Sequence, residues 1–193
     1  MYIKSIEITQ EYRNLQPKII NFKEGLNFII GDNGKGKTTL LNMLNLNNFN
    51  NGDLCYKNIR KICLNILPKD GINIYYFDSE KMNPATIHDL DLAPDPKYAM
   101  LSHFQSHGET LFPIIKSITT AKNSIILLDE PENGISLKNQ IILLTALKKS
   151  VKNKNQLFIA THSYIFINNS KEVFDIENFN WINSQEYLNT LRK

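Results

Sequence analysis

The segment Leu26–Thr38 constrains this chain more than any other. An apolar run, Leu26–Ile30, meets the glycine-rich turn Gly31-Asp-Asn-Gly-Lys-Gly-Lys37-Thr38, after which Leu40, Leu41, Met43 and Leu44 recur at helical spacing. A short apolar run between turn residues reads as a buried strand, and the periodic segment reads as a helix over Thr38–Leu46. The Asn-rich stretch Asn47–Asp53, with Gly52, ends that helix. The turn fits G-x-x-x-x-G-K-[ST] in full, and strand–loop–helix is the context that this motif requires. Its glycines let successive N–H groups point inward around a phosphate chain, and the helix start adds its positive dipole end. The sequence therefore predicts a phosphate-binding loop made by Asn33, Gly34, Lys35, Gly36, Lys37, Thr38 and Thr39. Lys37 is expected to reach the β- and γ-phosphates, and the Thr38 hydroxyl to sit on Mg²⁺.

A second motif supplies the acids. Ile125-Ile-Leu-Leu is a fully apolar run ending in Asp129-Glu130-Pro131-Glu132. Such a run suits the middle of a parallel sheet, whose carboxyl edge is where ligands of α/β proteins bind. Asp129 is placed to hold Mg²⁺ and Glu130 to polarise an attacking water. His162, in Ile159-Ala-Thr-His-Ser163, follows a further apolar strand, Leu157–Ala160, and is expected on the same edge as Asp129. Its predicted task is a hydrogen bond to the γ-phosphate or to the attacking water.

The remaining segments fit one α/β domain spanning 1–193, with a small insert at about 47–105. Tyr2–Ile8 and Ile19–Phe22 read as strands, Ile72–Phe77 as a buried strand leading into the turn Asp78–Asn83, and Leu137–Val151 as a helix with Ile141, Leu144, Leu147 and Val151 on one stripe. Ser106–Thr120 reads as a helix opened by a Ser106-x-x-Glu109 capping box, and Pro113 inside it should kink or shorten it. The predicted class is an α/β P-loop NTPase sandwich, its central sheet mainly parallel, joined by an antiparallel N-terminal β region and a small helical insert.

Composition narrows the class less. The 42% apolar content can fill a core, and a net charge of +3 from 22 basic and 19 acidic residues leaves a nucleic-acid partner open without arguing for one. Cys55 and Cys63 read as two free thiols of a reducing cytoplasm. Charge mixed into the first residues argues against a signal peptide. The apolar runs fall well short of the ~20 residues of a membrane helix, which makes a membrane partner a poor expectation.

The three motifs, in this order, resemble the ATP-binding cassette superfamily, and the resemblance covers nearly the whole chain. Asp-Glu-Pro and the histidine after the next strand separate it from other phosphate-loop NTPases. Asp129-Glu-Pro-Glu-Asn-Gly-Ile-Ser136, Ala160-Thr-His-Ser163 and Ser106-His-Gly-Glu109 look most like the non-transporter branch. That branch includes SMC-like DNA-repair ATPases and small predicted AAA-type ATPases of bacterial defence systems. The superfamily signature is Leu-Ser-Gly-Gly-Gln, and Gln105-Ser-His-Gly-Glu109 stands in its place. The resemblance implies that Ser106 and Gly108 touch the γ-phosphate held by the other subunit of a head-to-tail homodimer. Asn133–Ser136 matches the loop that crosses that interface. It also implies ATP as ligand, Mg²⁺ as cofactor, and Glu130 with His162 as the catalytic pair. No glutamine clearly matches the superfamily's Q-loop, and Asp78-Ser-Glu80 sits roughly where it would be. Tyr12 and Phe22 are both candidates to stack on adenine.

Three readings follow. A stand-alone switch ATPase would dimerise on MgATP and signal nucleotide state to an effector protein, in defence or DNA maintenance. The alternatives are the ATPase subunit of a membrane transporter or an SMC-like DNA-repair ATPase. The stretch between Thr39 and Ser106 is short for a transporter's helical insert and has no room for long coiled coils.

Overall fold

A computed structural model describes residues 3–45, 59–64, 73–79 and 111–192. The first elements are β1 (Ile3–Ile8), β2 (Lys18–Asn21), β3 (Leu26–Ile30), α1 (Lys37–Leu44), β4 (Ile59–Leu64), β5 (Ile74–Asp78) and α2 (Leu111–Thr120). They are followed by β6 (Ile125–Asp129), α3 (Leu137–Lys152), β7 (Gln156–Ala160), α4 (Tyr164–Asn168), β8 (Glu172–Asp175), β9 (Asn180–Asn183) and α5 (Ser184–Thr190).

The strands form two sheets. A three-stranded antiparallel sheet has the order β2-β1-β4, and a six-stranded sheet has the order β5-β6-β7-β3-β8-β9. In the larger sheet only β9 runs antiparallel, against β8. Strands β6 and β7 are buried at every position, which is why they read as unbroken apolar runs and not as alternating ones. The expected mixture of a mainly parallel sheet and a separate antiparallel one is present.

Two apolar clusters cover the faces of the central sheet. On one face α1 and the antiparallel sheet bring Ile3, Ile6, Leu40, Leu41 and Met43 against Phe158 and Phe174. On the other, α2, α3, α4 and α5 bring Ile118, Leu144, Leu147, Phe166 and Leu188 against Phe28, Leu128 and Ile159. Each such side chain removed from water contributes about 1.5–3 kcal/mol. Phe22 lies edge-on to Phe158, with ring centroids 5.0 Å apart, and is 5% exposed. Of the two aromatics considered for adenine stacking, Phe22 is therefore a core residue and has no free face to offer.

A buried glutamine ties the two sheets together. Gln156, at the start of β7, accepts from the Ile3 amide at 2.6 Å and donates to the carbonyls of Ile3 (3.0 Å) and Lys23 (2.9 Å). At the far end of the same strand the backbone delivers Thr161 and His162, so this tie lies opposite the edge that carries the motifs. Helix α2 runs from Leu111 to Thr120, which puts Pro113 in the first turn of the described helix, where proline is tolerated. Ser106, Gly108 and Glu109, together with Glu80 and the predicted insert apart from β4 and β5, lie outside the described residues.

Candidate nucleotide and metal site

Three parallel strands end side by side, and each delivers a motif. Register pairs Asp129 with Ala160 on β7 and with Asp78 on β5, while Ile29 of β3 also pairs with Ala160. Gly31, Asp129 and Thr161 therefore leave the sheet at one edge. The sequence places Asp78 at the start of a turn and roughly where the Q-loop would be, not among the site residues. Its segment, Ile74–Asp78, ends in an acid as β6 does, and that shared pattern is the signal that finds it.

The phosphate loop turns between β3 and α1. Gly36 has φ +102°, a left-handed conformation open to glycine, and a Cβ there would stand 2.7 Å from Leu15 Cδ2. Gly31 is similarly enclosed, because a Cβ would meet Ile176 Cγ2 at 2.7 Å. The loop is thus held by two other parts of the chain. From one side come Leu15 and Asn14, whose Nδ2 donates to the Gly34 carbonyl. From the other comes Glu177, in the turn after β8, whose Oε1 accepts the Asp32 amide at 2.9 Å and whose Oε2 pairs with Lys35 Nζ at 2.9 Å. These two partners hold the Glu177 carboxyl below its ordinary range. Asp32, Asn33, Gly34, Lys35 and Thr38 are exposed, whereas Thr39 is buried.

Lys37 starts α1 and folds back over the loop. Its Nζ donates to the carbonyls of Gly31 (2.9 Å) and Asp32 (3.2 Å), and it stands 2.8 Å from His162 Nε2 and 4.0 Å from Glu130 Oε1. Burial pulls its pKa below the usual lysine value, against the pull of Glu130, Asp129, Glu132 and Asp32. With Lys37 as an ammonium, which offers no lone pair, His162 Nε2 is the acceptor of this contact and the ring proton sits on Nδ1. Glu130 Oε1 is 3.5 Å from that same Nε2.

Glu130 itself is held in an unusual backbone state. Its φ is +45°, uncommon for a residue with a side chain and costing of order 1–3 kcal/mol. Its amide donates to the Ala160 carbonyl at 2.9 Å, and Asn133 Nδ2 donates to its Oε2 at 2.9 Å. The turn after β6 therefore aims the carboxylate across the sheet edge towards His162.

Asp129 is 5% exposed, and its Oδ1 is buried without a hydrogen-bond partner. The Tyr76 hydroxyl donates to its Oδ2 at 3.5 Å, and Thr38 also hydrogen-bonds this carboxylate. Burial raises its pKa to about 6, with Thr38 opposing and the nearby Asp78 charge adding to the rise. A small cleft of about 70 Å³ lies here, lined by Thr38, Asp78, Ser79, Asp129 and Glu130. It has room for a few water-sized groups. The orphaned carboxylate oxygen and the Thr38 hydroxyl are hard oxygen donors of the kind that suit Mg²⁺. Among the described residues no cluster of three or more His, Cys, Asp or Glu is arranged as a metal cage.

A pH experiment tests the Asp129 environment in the metal-free protein. A carboxyl whose pKa is raised in the fold binds its proton more tightly there than in the unfolded chain. Its contribution is therefore fully present below about pH 4 and is lost as pH rises through about 6. Asp129→Asn mimics the protonated acid. It should raise stability at pH 8 by up to about 3 kcal/mol and change little at pH 4. Thermal denaturation at the two pH values checks this, and an equal effect at both would contradict it.

The fold and this edge together define a P-loop α/β NTPase scaffold. More particularly, the fold is that of ATP-binding cassettes. A nucleotide-free ATP-binding cassette from an ABC transporter superposes with TM-score 0.62 at 18% identity, covering 100% of this chain and 96% of that one. The ADP conformation of another such cassette superposes with TM-score 0.54 at 19% identity, covering 99% and 93%. No protein-family model matches the chain. Among curated proteins, the DNA replication and repair protein RecF of Francisella tularensis subsp. mediasiatica is 46% identical over 41 residues, 21% of this chain. RecF of subsp. novicida matches equally, and the matched segment spans 12% of those relatives' length. No helix among the described residues is long and apolar enough to cross a membrane.

Proposed function

We propose that the chain binds MgATP and hydrolyses it, acting as a switch that pairs head-to-tail with a second copy and reports nucleotide state to a partner protein. The observation that carries this reading is the convergence of Lys37, Thr38, Asp129, Glu130 and His162 at one sheet edge. Lys37 Nζ lies 2.8 Å from His162 Nε2, which in turn lies 3.5 Å from Glu130 Oε1. Lys37 and the loop amides from Asn33 to Thr39 would hold the phosphates. Thr38 and Asp129 would hold Mg²⁺, with Asp78 beside them. The ion would supply charge neutralisation to the phosphates. Glu130 would accept a proton from the attacking water, and His162 would hold the γ-phosphate end once Lys37 turns from its nitrogen to the phosphates. Tyr12, half-buried beside the Leu15 contact with the loop, is the aromatic left to meet the base.

Ser106 and Gly108 would complete the site from the second copy, with Asn133–Ser136 crossing between the two. The 41-residue likeness to RecF favours the non-transporter branch and a role in DNA maintenance or defence. A second reading, the ATPase subunit of a membrane transporter, is favoured by the structural neighbours, which are transporter cassettes. Purification with a permease would support it, whereas DNA-stimulated turnover with steep salt dependence would support the first.

The basic test is ligand-dependent stability. If MgATP binds only the folded state, a concentration one hundred times its Kd adds about 2.7 kcal/mol. An unchanged melting temperature in millimolar MgATP, with no phosphate release, would remove the proposal.

A further inference from the structure

The proposed chemistry gives no task to the half-buried carboxylate of Glu132. Its Oε1 accepts three hydrogen bonds from consecutive residues: Thr161 Oγ1 at 2.7 Å, the His162 amide at 2.6 Å and the Ser163 amide at 3.0 Å. The same loop is braced further along, where Ser163 Oγ donates to Gln140 Oε1 at 2.8 Å. Its other oxygen, Oε2, is buried without a partner. Burial pushes the Glu132 carboxyl up, while the Thr161 hydroxyl and the His162 amide pull it down.

We propose that Glu132 is a positioning residue, whose carboxylate holds the Thr161–Ser163 loop so that the His162 ring presents its Nε2 between Lys37 and Glu130. The proposal rests on the ATPase reading of this edge for its kinetic consequence, although the geometry stands without it. Two arguments support a positioning role over a simple structural cap. A cap for the turn requires only one acceptor bond, whereas Glu132 Oε1 takes donors from three consecutive residues and so fixes the Thr161 side chain and the backbone on both sides of His162 together. Secondly, Glu132 is joined to Glu130 through Pro131, whose ring locks φ, and Glu130 is itself bonded to the Ala160 carbonyl. The turn after β6 and the loop after β7 therefore lock as one piece, and the two residues assigned to catalysis cannot move independently.

The experiment uses the full chain with Glu132→Asp and Glu132→Gln. Aspartate keeps the charge but withdraws the acceptor by one methylene, about 1.5 Å, too far to serve all three donors. Glutamine keeps Oε1 at its full reach. Steady-state ATP hydrolysis gives kcat and KM, and ¹⁵N NMR of the His162 ring distinguishes the Nδ1–H tautomer from its alternative. Glu132→Asp should lower kcat about tenfold or more, with KM for MgATP within about threefold, and should lose the single Nδ1–H signal. Glu132→Gln should retain both kcat and the signal. The proposal is overturned if Glu132→Asp keeps wild-type kcat and tautomer, if its kcat falls with the tautomer unchanged, or if Glu132→Gln is as impaired as Glu132→Asp. Should the Asp variant fail to fold, the Gln variant decides alone by the same two readings. Absence of ATP hydrolysis in the wild type would remove the ATPase reading, and the ring tautomer would still decide whether Glu132 positions His162.

Discussion

Glu130→Gln is expected to lower the rate of ATP hydrolysis by about 100- to 10,000-fold, the range that general-base removal produces, while leaving MgATP affinity within about threefold. The substitution is nearly isosteric, so the backbone that presents residue 130 should persist. Its amide can still donate to the Ala160 carbonyl, and an amide oxygen can still accept from Asn133 Nδ2, now 2.9 Å from Oε2. What the variant loses is the capacity to take a proton. Binding groups around Lys37 and Thr38 are untouched, so the nucleotide should remain and the composite homodimer should accumulate in MgATP. Phosphate release measured beside size-exclusion chromatography reads both effects. Hydrolysis by the variant at the wild-type rate would mean that the base lies elsewhere.

The left-handed backbone at Glu130 has a bearing on this expectation. Strained non-glycine residues persist where the surroundings over-determine them, and they cluster at functional positions. Here the surroundings are identifiable: the hydrogen bond to β7, the Asn133 contacts and the Pro131–Glu132 link. A glycine at 130 would relieve the strain but remove the carboxylate, so conformation and chemistry make opposed demands on one residue. The sequence pattern Asp129-Glu130-Pro131 locates the acid; the φ of +45° is not legible there, because propensity alone disfavours glutamate in that conformation.

Legibility followed period and length. The fully buried strands β6 and β7 and helix α3 were within reach of apolar runs and a 3.6-residue stripe, and their observed bounds differ from the expected ones by one residue at an end. The chain after His162 was not legible. Helix α4 has five residues and strands β8 and β9 four each, too short for a period to emerge, and their place at the sheet edge is set by tertiary contacts such as Phe174 against Trp181. The same limit applies to the site. The loop, the acidic pair and the histidine carry local signatures, so their residues could be named in advance. Glu132, Asn14 and Glu177 act over separations of 29, 20 and 145 residues, and nothing local announces a partner so far along the chain. Tyr12 and Phe22 show the converse case. Both are aromatic and near in sequence, and only the packing of Phe22 on Phe158 separates them.

Lys37→Met should have the largest effect on binding and a small one on folding, and the contrast follows from where its charge sits. In the nucleotide-free chain the ammonium is nearly buried and held by two loop carbonyls and an imidazole nitrogen, and burial already works against its charge. Methionine preserves most of the stem and removes the desolvated charge, but strands the Gly31 and Asp32 carbonyls without that donor. Those terms oppose one another, so stability should shift by no more than about 1–2 kcal/mol. Binding has no such offset. Charge-assisted hydrogen bonds to phosphate are worth about 1.5–3 kcal/mol each. Loss of two should raise the Kd for MgATP by about 100- to 10,000-fold. Calorimetric titration of the folded variant measures this directly, with circular dichroism melting as the control for folding. A variant that binds MgATP within threefold of the wild type would show that the phosphates are not gripped at this loop, whatever its sequence resembles.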